Sequence, residues 1–404
     1  MSDRLPRTII VAGAGIAGLT AALAFAARGF QVEVFERVAR FEEIGAGIQL
    51  SPNATRILGR LGVLDALGAD AVAPEAIVLR DGASLGELAR VPLGKPAEAR
   101  WKAPYLVAHR ADLHRALLAC ISSEPNIRLS LGAAVSDIAF EPGGVTAIVK
   151  RNDRTEEAAG MLLVAADGVW SSLRRLVKGS RESRPTGRMA WRSLADVASP
   201  AGKALAKFAP ADRVTAFLDP ALHLVVYPLR GGAMLNLVAL TAGDAGTGSW
   251  ANRADPLPLA RALSGFAAPL SGLADAAGPW TVWPIHAVDP EGAWTDRRGL
   301  VLIGDAAHAM TPFAAQGAAM AIEDAYVLAM LVAERPDDPG SALARHEAIR
   351  RPRIRRVVRR GAFNHFTWHA SGPVALARNL VLAARPAERL AADFDWLYGW
   401  QAES

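Results

Sequence analysis

Cysteine is almost absent from this chain, with Cys120 the single example in 404 residues. One cysteine excludes an internal disulfide, so the composition does not require an oxidising compartment. No stretch holds the ~18 consecutive uncharged apolar residues that a membrane-spanning helix needs. We also find no internal repeat and no cluster of His, Cys and carboxylate residues with the spacing of metal ligands. These absences favour a cytoplasmic α/β protein without a metal site or a membrane span.

The charge balance is only slightly basic. The chain has 45 Lys and Arg residues against 40 Asp and Glu residues, a formal net charge of +5, which does not by itself indicate a nucleic-acid partner. With 51% hydrophobic residues, the chain can bury a sizeable core, which we expect in two closely joined domains. The N-terminal stretch up to residue 19 has basic residues and an apolar run like a signal peptide. Its three glycines and its continuation into a helix pattern indicate folded structure instead.

The order of predicted elements suggests one domain interrupted by another. Residues 8–36 predict a βαβ unit, and strand patterns with a helix continue to about residue 168. From about 186 to 290 the chain is mostly strand-like, with a hairpin predicted at residues 230–232. Helical patterns then run from residue 318 onwards. We predict an α/β fold with a Rossmann-like nucleotide-binding domain (1–75, 100–185 and 290–345), an inserted, mostly β substrate domain (76–99 and 186–289) and C-terminal helices (346–404).

The segment "GAGIAG" carries a G-x-G-x-x-G pattern after a strand and at the start of a helix. Gly13 permits a tight turn, Gly15 lets a pyrophosphate approach the backbone, and Gly18 lets helix and strand pack closely. The following helix offers free N–H groups to the phosphates. Glu36 ends the second strand, where a carboxylate can accept hydrogen bonds from ribose hydroxyls. This pattern does not separate FAD from NAD.

Two further motifs allow a plain structural interpretation. Asp167 and Gly168, in "ADGVWSSLRR", follow a predicted buried strand and could form only a turn with a helix cap. Arg110 precedes Asp112, which could simply cap the next helix and leave the arginine on the surface. Each motif alone therefore leaves a structural and a binding role open.

Four segments stand in the order found in single-component, FAD-dependent aromatic hydroxylases: "GAGIAG", "HRADLH", "ADGVWSSLR" and "GDAAHAMTPFAAQGAAMAIEDA". The chain resembles the salicylate hydroxylase and 3-hydroxybenzoate 6-hydroxylase branch over nearly its whole length. The resemblance implies FAD as cofactor, NADH or NADPH as electron donor, and O2 and a small aromatic compound as substrates. It implies a hydride transfer to the flavin, then a C4a-hydroperoxide that hydroxylates an electron-rich ring.

The resemblance also implies roles for individual residues. Asp305 would bind the ribityl chain, and the backbone of Gly317 and Ala318 would face the flavin ring, where a helix N-terminus stabilises the negative charge of the reduced flavin. Asp167 is similar to the residue linked to both FAD and the nicotinamide donor. The remaining cofactor contacts implied are Gly13, Gly15, Ala17, Gly18, Glu36, Gly47, Arg110 and the main chain of Val135.

His223 and Tyr227 are the predicted catalytic residues. They lie four apart in a predicted strand and so share one face, about 13 Å apart at ~3.3 Å per residue. They could flank an aromatic substrate, and the resemblance assigns such a pair to the substrate hydroxyl. A base there would favour the phenolate, which is the more nucleophilic form of a phenol. The alternative from the strand alone is a satisfied core histidine beside a packing tyrosine.

Substrate recognition is less defined by the sequence. Pro312 departs from the glutamine of the 6-hydroxylase pattern and agrees with salicylate-type relatives, which argues against 3-hydroxybenzoate itself as substrate. Arg192 and Arg230 are candidates to bind a substrate carboxylate, although Arg230 falls in a predicted turn. Gln49 could border the substrate pocket. His308 is expected to be structural, below the flavin.

The segment "RRPRIRRVVRR" holds seven arginines between residues 350 and 360. Because aromatic residues are not interleaved with them, we predict a solvated helix face or ion pairs to the rest of the protein, and no nucleic-acid partner. The leading hypothesis is a monooxygenase of a phenolic aromatic acid, such as a hydroxybenzoate, salicylate or hydroxypyridine carboxylate. The alternatives are an epoxidase or hydroxylase of a larger isoprenoid, quinolone or polyketide, and an arginine-rich nucleic-acid-binding protein. A homodimer is expected by analogy alone.

Overall fold

The computed structural model describes residues 7–41, 47–152, 154–243 and 255–402. The first six residues of the stretch with signal-peptide character therefore lie outside the described part. In that part, no helix is both long and apolar enough to cross a membrane, and no group of three His, Cys, Asp or Glu residues is arranged to hold a metal ion.

The strands are β1 (Thr8–Ala12), β2 (Gln31–Glu36), β3 (Gly47–Leu50), β4 (Ala76–Asp81), β5 (Glu87–Pro92), β6 (Leu106–His109), β7 (Ile127–Leu131), β8 (Ala134–Glu141), β9 (Gly144–Arg151), β10 (Arg154–Gly160), β11 (Leu162–Ala165), β12 (Ser183–Asp196), β13 (Arg213–Leu218), β14 (Leu222–Leu229), β15 (Met234–Ala242), β16 (Thr281–Val288), β17 (Thr295–Asp296) and β18 (Leu300–Leu302). The helices are α1 (Ile16–Ala26), α2 (Pro52–Arg60), α3 (Val63–Leu67), α4 (Gly94–Trp101), α5 (Arg110–Ser122), α6 (Pro200–Ala206), α7 (Leu257–Leu263), α8 (Ala268–Ser271), α9 (Leu273–Ala276), α10 (Asp305–His308), α11 (Gly317–Glu334), α12 (Pro339–Trp368), α13 (Gly372–Ala384), α14 (Ala387–Ala392) and α15 (Asp395–Tyr398).

A six-stranded sheet in the order β17-β18-β11-β1-β2-β7 forms the first layer. Its neighbouring strands run parallel except for β17. Strands β1, β11 and β18 are almost continuous apolar runs with nearly every side chain buried, as expected for a parallel sheet that is covered on both faces. Helices α1 and α11 pack against each other beside this sheet. The loops after β1, β11 and β18 therefore meet at one edge, where open α/β sheets bind their ligands.

A seven-stranded sheet in the order β16-β12-β15-β14-β13-β4-β5 forms the second layer. Strand β14 alternates: Leu222, Leu224 and Val226 join a core cluster with α7, α8 and α9, whereas the residues between them lie on the opposite face. This alternation is the period of two that a half-covered antiparallel strand requires. The predicted hairpin is confirmed, since β14 pairs antiparallel with β15 and Arg230 and Gly231 both have positive φ in the turn.

The predicted fold class is confirmed: the described chain contains a Rossmann-like sheet, a mostly β insert and C-terminal helices, together with the smaller sheets β10-β9-β8 and β3-β6. Helix α12 runs for 30 residues and packs along α11. Helices α13 to α15 follow it and pack near β5 and α2.

Candidate functional site

A cavity of about 740 Å³ lies between the two sheets. It is walled by the loops of the first sheet, by one face of the second sheet and by α12 and α13. Twelve of the predicted site residues line it: Gly15, Ala17, Gly47, Gln49, Arg110, Arg192, His223, Tyr227, Asp305, Pro312, Gly317 and Ala318. The predicted residues that do not line it are Gly13, Gly18, Glu36, Val135 and Asp167.

The glycine-rich turn has the geometry that its sequence predicts. A Cβ on Gly13, where φ is +102°, would lie 2.6 Å from the carbonyl oxygen of Ala166. A Cβ on Gly18 would lie 1.9 Å from the carbonyl oxygen of Gly13, so a side chain cannot fit between the helix and the strand. A Cβ on Gly15 would meet nothing within 4 Å, which leaves this backbone open to a ligand at the start of α1.

The carboxylate of Glu36 holds the glycine-rich turn in place. Its Oε2 accepts a hydrogen bond from the Ala14 N–H at 2.7 Å, and its Oε1 accepts one from the Val38 N–H at 3.0 Å. Each oxygen keeps a further lone pair for a ribose hydroxyl. Val135 lies in β8 opposite Val149, with its side chain buried.

Asp167 has the structural role that its sequence allows, and its second carboxylate oxygen has no partner in the described chain. Its Oδ2 accepts hydrogen bonds from the N–H groups of Ser172 and Leu173 at 2.9 and 3.4 Å, so it does stabilise the following turn. Its Oδ1 is buried and has no hydrogen-bond partner among the described residues. A buried oxygen of this kind is costly unless a ligand donates to it.

Helix α11 begins directly at the cavity. Gly317 is its first residue, and a Cβ there would meet nothing within 4 Å. The preceding Gln316 does not cap the helix, because its side chain bonds Ser51 instead. The first N–H groups of α11 therefore keep no side-chain acceptor and carry the positive end of the helix dipole. Pro312 opens a short 3-10 turn that leads the chain into this helix.

A buried ionic cluster supports the loop that carries Asp305. Asp324 Oδ2 accepts a hydrogen bond from the Gly304 N–H at 3.0 Å and lies 2.6 Å from His308 Nε2. Burial alone would raise the pKa of Asp324, but the neighbouring His308 and Arg350 lower it far below its usual value. His308 is thus paired and buried beneath this loop, while Asp305 is exposed to the cavity.

The same cluster accounts for two arginines of the arginine-rich segment of α12. Arg350 bridges Glu323 at 2.5 Å and Asp324 at 2.7 Å, and Arg353 also pairs with Glu323. The other members are accounted for by ion pairs, carbonyl groups or aromatic rings: Arg351 with Glu347 and the Pro290 carbonyl, Arg355 with Glu291, Arg356 over Trp396 and Arg360 over Phe394. Arg359 contributes to the positive field around the carboxylate of Glu291.

The cavity-lining face of the second sheet presents a row of side chains to the cavity. Strand pairing places Leu79, Ala216, Val225, Val238 and Arg192 opposite one another in successive strands, and all five line the cavity. Opposed residues of neighbouring strands point to the same face. The row therefore forms a mostly apolar wall with one guanidinium at its end.

Arg192 differs from the other arginines of this region. It has no carboxylate partner within the described ranges, its Nε is buried without a hydrogen bond, and its guanidinium lies 4.0 Å from the centre of the Trp283 ring. Burial lowers the pKa of Arg192 to about 10. Arg230, the other candidate, instead pairs with the buried Asp112 at 3.3 Å, so its charge is already compensated.

Asp112 does not cap α5, which corrects that alternative. The cap is His109, whose side chain accepts a hydrogen bond from the Ala111 N–H at 3.3 Å. Asp112 instead forms ion pairs with Arg115 and Arg230. Arg110 is exposed and contributes to the cavity lining.

Tyr227 of β14 packs against Gly47 of β3 and lines the cavity. Its hydroxyl would be 2.7 Å from a Cβ at Gly47, so only a glycine fits against the ring. The Gly47 N–H donates to Asn236 Oδ1 at 2.7 Å, and Asn236 is the cross-strand partner of Tyr227. Burial raises the pKa of Tyr227 well above its usual value. The neutral phenol is therefore the resting form of this side chain.

His223 is buried at the other end of the same strand face. Its Nδ1 lies 3.2 Å from Nε2 of His369, and its ring packs within 5.4 Å of Phe313 and 5.0 Å of Trp368, measured between ring centres. Burial and the nearby His369 lower the pKa of His223 well below its usual value. A neutral imidazole is the form that can accept a proton.

The side chain of Gln49 is held by Tyr105, which the sequence did not indicate as a site residue. The Tyr105 hydroxyl donates to Gln49 Oε1 at 2.7 Å, and both residues line the cavity. His369 and Trp368 were also missed, because both lie in the C-terminal region, where no local pattern indicates a site. Asn236 could have been found, since the predicted hairpin places it opposite Tyr227.

Comparison with known proteins matches this geometry. The FAD binding domain family model matches residues 7–361. The chain belongs to this family. It is 37% identical over its full length to 3-amino-4-hydroxybenzoate 2-monooxygenase PtmB3 of Streptomyces platensis, of which 98% is covered. It is 34% identical to 3-hydroxybenzoate 6-hydroxylase 1 of Aquipseudomonas alcaligenes, with 97% of each chain covered.

A solved structure extends the comparison to a bound cofactor. The structure of Klebsiella pneumoniae HpxO complexed with FAD and uric acid superposes with a TM-score of 0.83 at 28% identity, covering 97% of this chain and 96% of that one. Resemblance to the flavoprotein aromatic hydroxylases is thereby confirmed, and FAD is the cofactor of this oxidoreductase. The site fits the cofactor: a dinucleotide could lie across the open Gly15 backbone, with a flavin at the uncapped start of α11.

Proposed function

We propose that this chain is a monooxygenase that uses NADH or NADPH and O2 to hydroxylate a phenolic aromatic acid. The observation that carries the proposal is the guanidinium of Arg192, which has no carboxylate partner among the described residues, has its Nε buried without a hydrogen bond, and lies on the same sheet face as His223 and Tyr227. A half-buried cation without a partner is costly, and a carboxylate ligand would offset that cost. Relatives named for 3-amino-4-hydroxybenzoate, 3-hydroxybenzoate and 6-hydroxynicotinate support an acidic substrate.

The chain's own groups would hold the substrate in one orientation. Arg192 would bind the carboxylate, the apolar row would cover the ring, and His223 would face the hydroxyl. Deprotonation of that hydroxyl by His223 would make the ring more electron-rich. Gln49 and Pro312 would border the ring. Enclosure between the two layers would exclude water.

We propose cofactor roles for the residues around the first sheet. Gly13, Gly15, Ala17 and Gly18 would receive the pyrophosphate, and Glu36 the ribose. Asp305 would bind the ribityl chain, with Gly317 and Ala318 offering N–H groups to the flavin ring. Gly47, Arg110, Val135 and Asp167 would complete the contacts. When bound, FAD would supply the redox chemistry between the nicotinamide, O2 and the aromatic ring.

The predicted domains would have separate roles in binding the cofactor and the substrate. Residues 1–75, 100–185 and 290–345 would bind FAD, and residues 76–99 and 186–289 would bind the substrate. The C-terminal region, 346–404, would close the cavity, since Asn364, Thr367 and Trp368 of α12 line it.

A substrate panel tests the proposal. Purified holoenzyme is mixed with 3-hydroxybenzoate, salicylate, 3-amino-4-hydroxybenzoate and 6-hydroxynicotinate, and NADH or NADPH oxidation is followed together with the hydroxylated product. We expect product from at least one acid and none from its methyl ester. Absence of hydroxylated product from every acid would reject the proposal.

Substitution of Arg192 tests carboxylate binding more directly than the substrate panel does. Because a hydrogen bond to a charged group contributes about 1.5–3 kcal/mol, Arg192→Gln should raise KM by about 10- to 100-fold. The matched control is Arg261→Gln in α7, on the covered side of the second sheet. Equal KM values for the acid in Arg192→Gln and the control would show that Arg192 does not bind the carboxylate.

The alternative of a larger apolar substrate has one supporting observation. The cavity continues beneath α13, where Val374, Val381 and Leu382 line it. Hydroxylation or epoxidation of an uncharged quinolone or isoprenoid in preference to every panel acid would favour that alternative.

A further inference from the structure

Two histidines from distant parts of the chain form a hydrogen-bonded pair at the cavity wall. His223 belongs to β14, and His369 follows the last residue of α12. His223 Nδ1 lies 3.2 Å from His369 Nε2, and His369 Nδ1 lies 3.0 Å from the carbonyl oxygen of His365. The three groups therefore form a chain that begins at the cavity and continues along the end of α12.

The carbonyl at the end of this chain determines where the protons lie. A carbonyl oxygen can only accept, so His369 carries its proton on Nδ1 and, when neutral, offers a lone pair at Nε2. His223 must then donate from Nδ1 to that lone pair. A neutral His223 consequently has its own lone pair at Nε2, which has no hydrogen-bond partner among the described residues. That nitrogen is the one left free for a ligand in the cavity.

The two rings also differ in how well they can hold a charge. His223 is buried, whereas His369 is half-exposed. Burial lowers the pKa of both, but that of His223 further, and the bond to the His365 carbonyl partly restores the pKa of His369. The other groups around the pair are cations or neutral rings: Arg188 of β12 and His365. Arg378 of α13 donates to the neighbouring Thr367 and Trp368 carbonyls.

We propose that His369 is a positioning residue that fixes the Nε2 lone pair of His223 as the base and accepts the Nδ1 proton when that base acts. The proposal rests on the phenolic substrate proposed above. In the step, the substrate O–H bond breaks and an N–H bond forms at His223 Nε2. At the same time the Nδ1–H bond of His223 breaks and an N–H bond forms at His369 Nε2. The result is a phenolate, a neutral His223 and a His369 imidazolium.

The relay keeps the positive charge away from the most buried ring. The half-exposed His369 holds this proton on Nε2, and the reverse transfer returns it to His223 Nδ1 as the Nε2 proton of His223 passes to the product oxygen, which restores both rings. Without His369, the buried His223 would have to hold the charge itself, against the burial that disfavours it.

The first test measures the tautomer and needs no turnover. Substrate-free holoenzyme is labelled with ¹⁵N-histidine, and the two ring nitrogens of His223 are assigned with His223→Gln. We expect wild-type His223 to carry its proton on Nδ1, and His369→Leu to lose that preference. A wild-type His223 protonated on Nε2 would overturn the relay. A failure of every panel acid to be hydroxylated would instead reject the proposed function.

The second test separates orientation from proton uptake. His369→Gln can still accept from His223 Nδ1 through its amide oxygen, but it cannot take up a proton. We expect the Nδ1 tautomer to persist, while kcat at neutral pH falls about tenfold and recovers at alkaline pH as the phenol ionises unaided. His286→Gln, at the edge strand β16 and away from the cavity lining, is the matched control. A His369→Gln pH profile that coincides with wild type would overturn the relay.

Discussion

Two sets of buried charged and polar groups differ in whether they are paired within the described chain. In α11, the carboxylates of Glu323 and Asp324 are paired with arginines and His308. Beside the cavity, the Nε of Arg192 and the Oδ1 of Asp167 are buried without hydrogen-bond partners in the described chain. Removal of one member of a paired set leaves an uncompensated buried charge, whereas an unpaired buried group carries a desolvation cost that a ligand can offset. The paired groups therefore support the structure around the cavity, whereas the unpaired groups are available to contact a ligand.

Removal of Arg350 should have the largest effect. Arg350→Ala leaves Asp324 without its arginine and Glu323 with Arg353 alone, and breaking a buried pair costs about 3–5 kcal/mol. We expect the free energy of unfolding of the holoenzyme in urea to fall by that amount. Arg355→Ala, in the same helix with an exposed partner, is the control and should leave the urea midpoint unchanged. Similar urea midpoints for both variants would show that the buried ion pairs of Arg350 stabilise the fold no more than the exposed pair of Arg355 does.

Lowering the pH should reduce the stability of the protein through His346, which lies beside the paired groups around Asp324. Burial lowers the pKa of His346 to about 4, whereas an unfolded histidine titrates near ~6.5. Between these values the unfolded chain binds the extra proton, so stability falls as the pH drops through this window. At about 1.4 kcal/mol per unit, this group loses about 3 kcal/mol. Asp324, whose pKa is lowered instead, adds its own loss only below its unfolded value of about 3.9.

Urea unfolding of the holoenzyme across this pH window provides the measurement. His346→Asn keeps a donor for the Asp324 carbonyl, which His346 Nε2 contacts at 3.2 Å, but it cannot titrate. The variant should lose stability less steeply than wild type. Parallel curves for the two proteins would show that His346 does not titrate between its folded and unfolded states as we expect.

His223→Ala should affect chemistry without a matching effect on stability. Loss of a general base costs about 100-fold or more in rate, so we expect kcat for the panel acid to fall by that factor at neutral pH. The deficit should narrow at alkaline pH, where the phenol ionises in solution. Hydroxylation at the wild-type rate and with the wild-type pH profile would show that His223 is not the base.

Arg192→Met should have the smallest effect on stability and the opposite sign. The substitution replaces an unpaired, half-buried cation with an apolar side chain of similar length, so the substrate-free holoenzyme should gain about 1 kcal/mol. Thermal melting in the absence of an aromatic acid measures this gain. A melting temperature several degrees below that of the wild type would show that Arg192 stabilises the fold, as the paired groups around Asp324 do.

The sequence was sufficient wherever a local pattern determines the geometry. The period of two in β14 places His223 and Tyr227 on one face, and the glycine spacing predicts the turn around Gly13 and Gly18. The family resemblance placed Asp305 and Gly317, which both line the cavity. In each case the constraint acts over a few neighbouring residues.

Contacts between distant elements could not be predicted in this way. His369 lies 146 residues from His223, and its position depends on how α12 packs across the second sheet. The predicted turn already made Arg230 the weaker candidate for a carboxylate site, but only the fold placed Asp112 beside it. Long-range packing decides such cases, and one sequence without its fold does not contain that information.

Helix α12 fixes the distance between the buried ionic cluster beneath α11 and the His223–His369 pair. Its buried Arg350 is anchored beneath α11, and its far end carries Asn364, which donates to the Phe313 carbonyl at 2.9 Å, and then His365 and His369. Each residue of an α-helix turns by about 100° and rises about 1.5 Å. A one-residue insertion between these anchors would therefore rotate the histidines away from β14 while every side chain remained present. The spacing along this helix, and not only its composition, therefore determines the geometry of the candidate site.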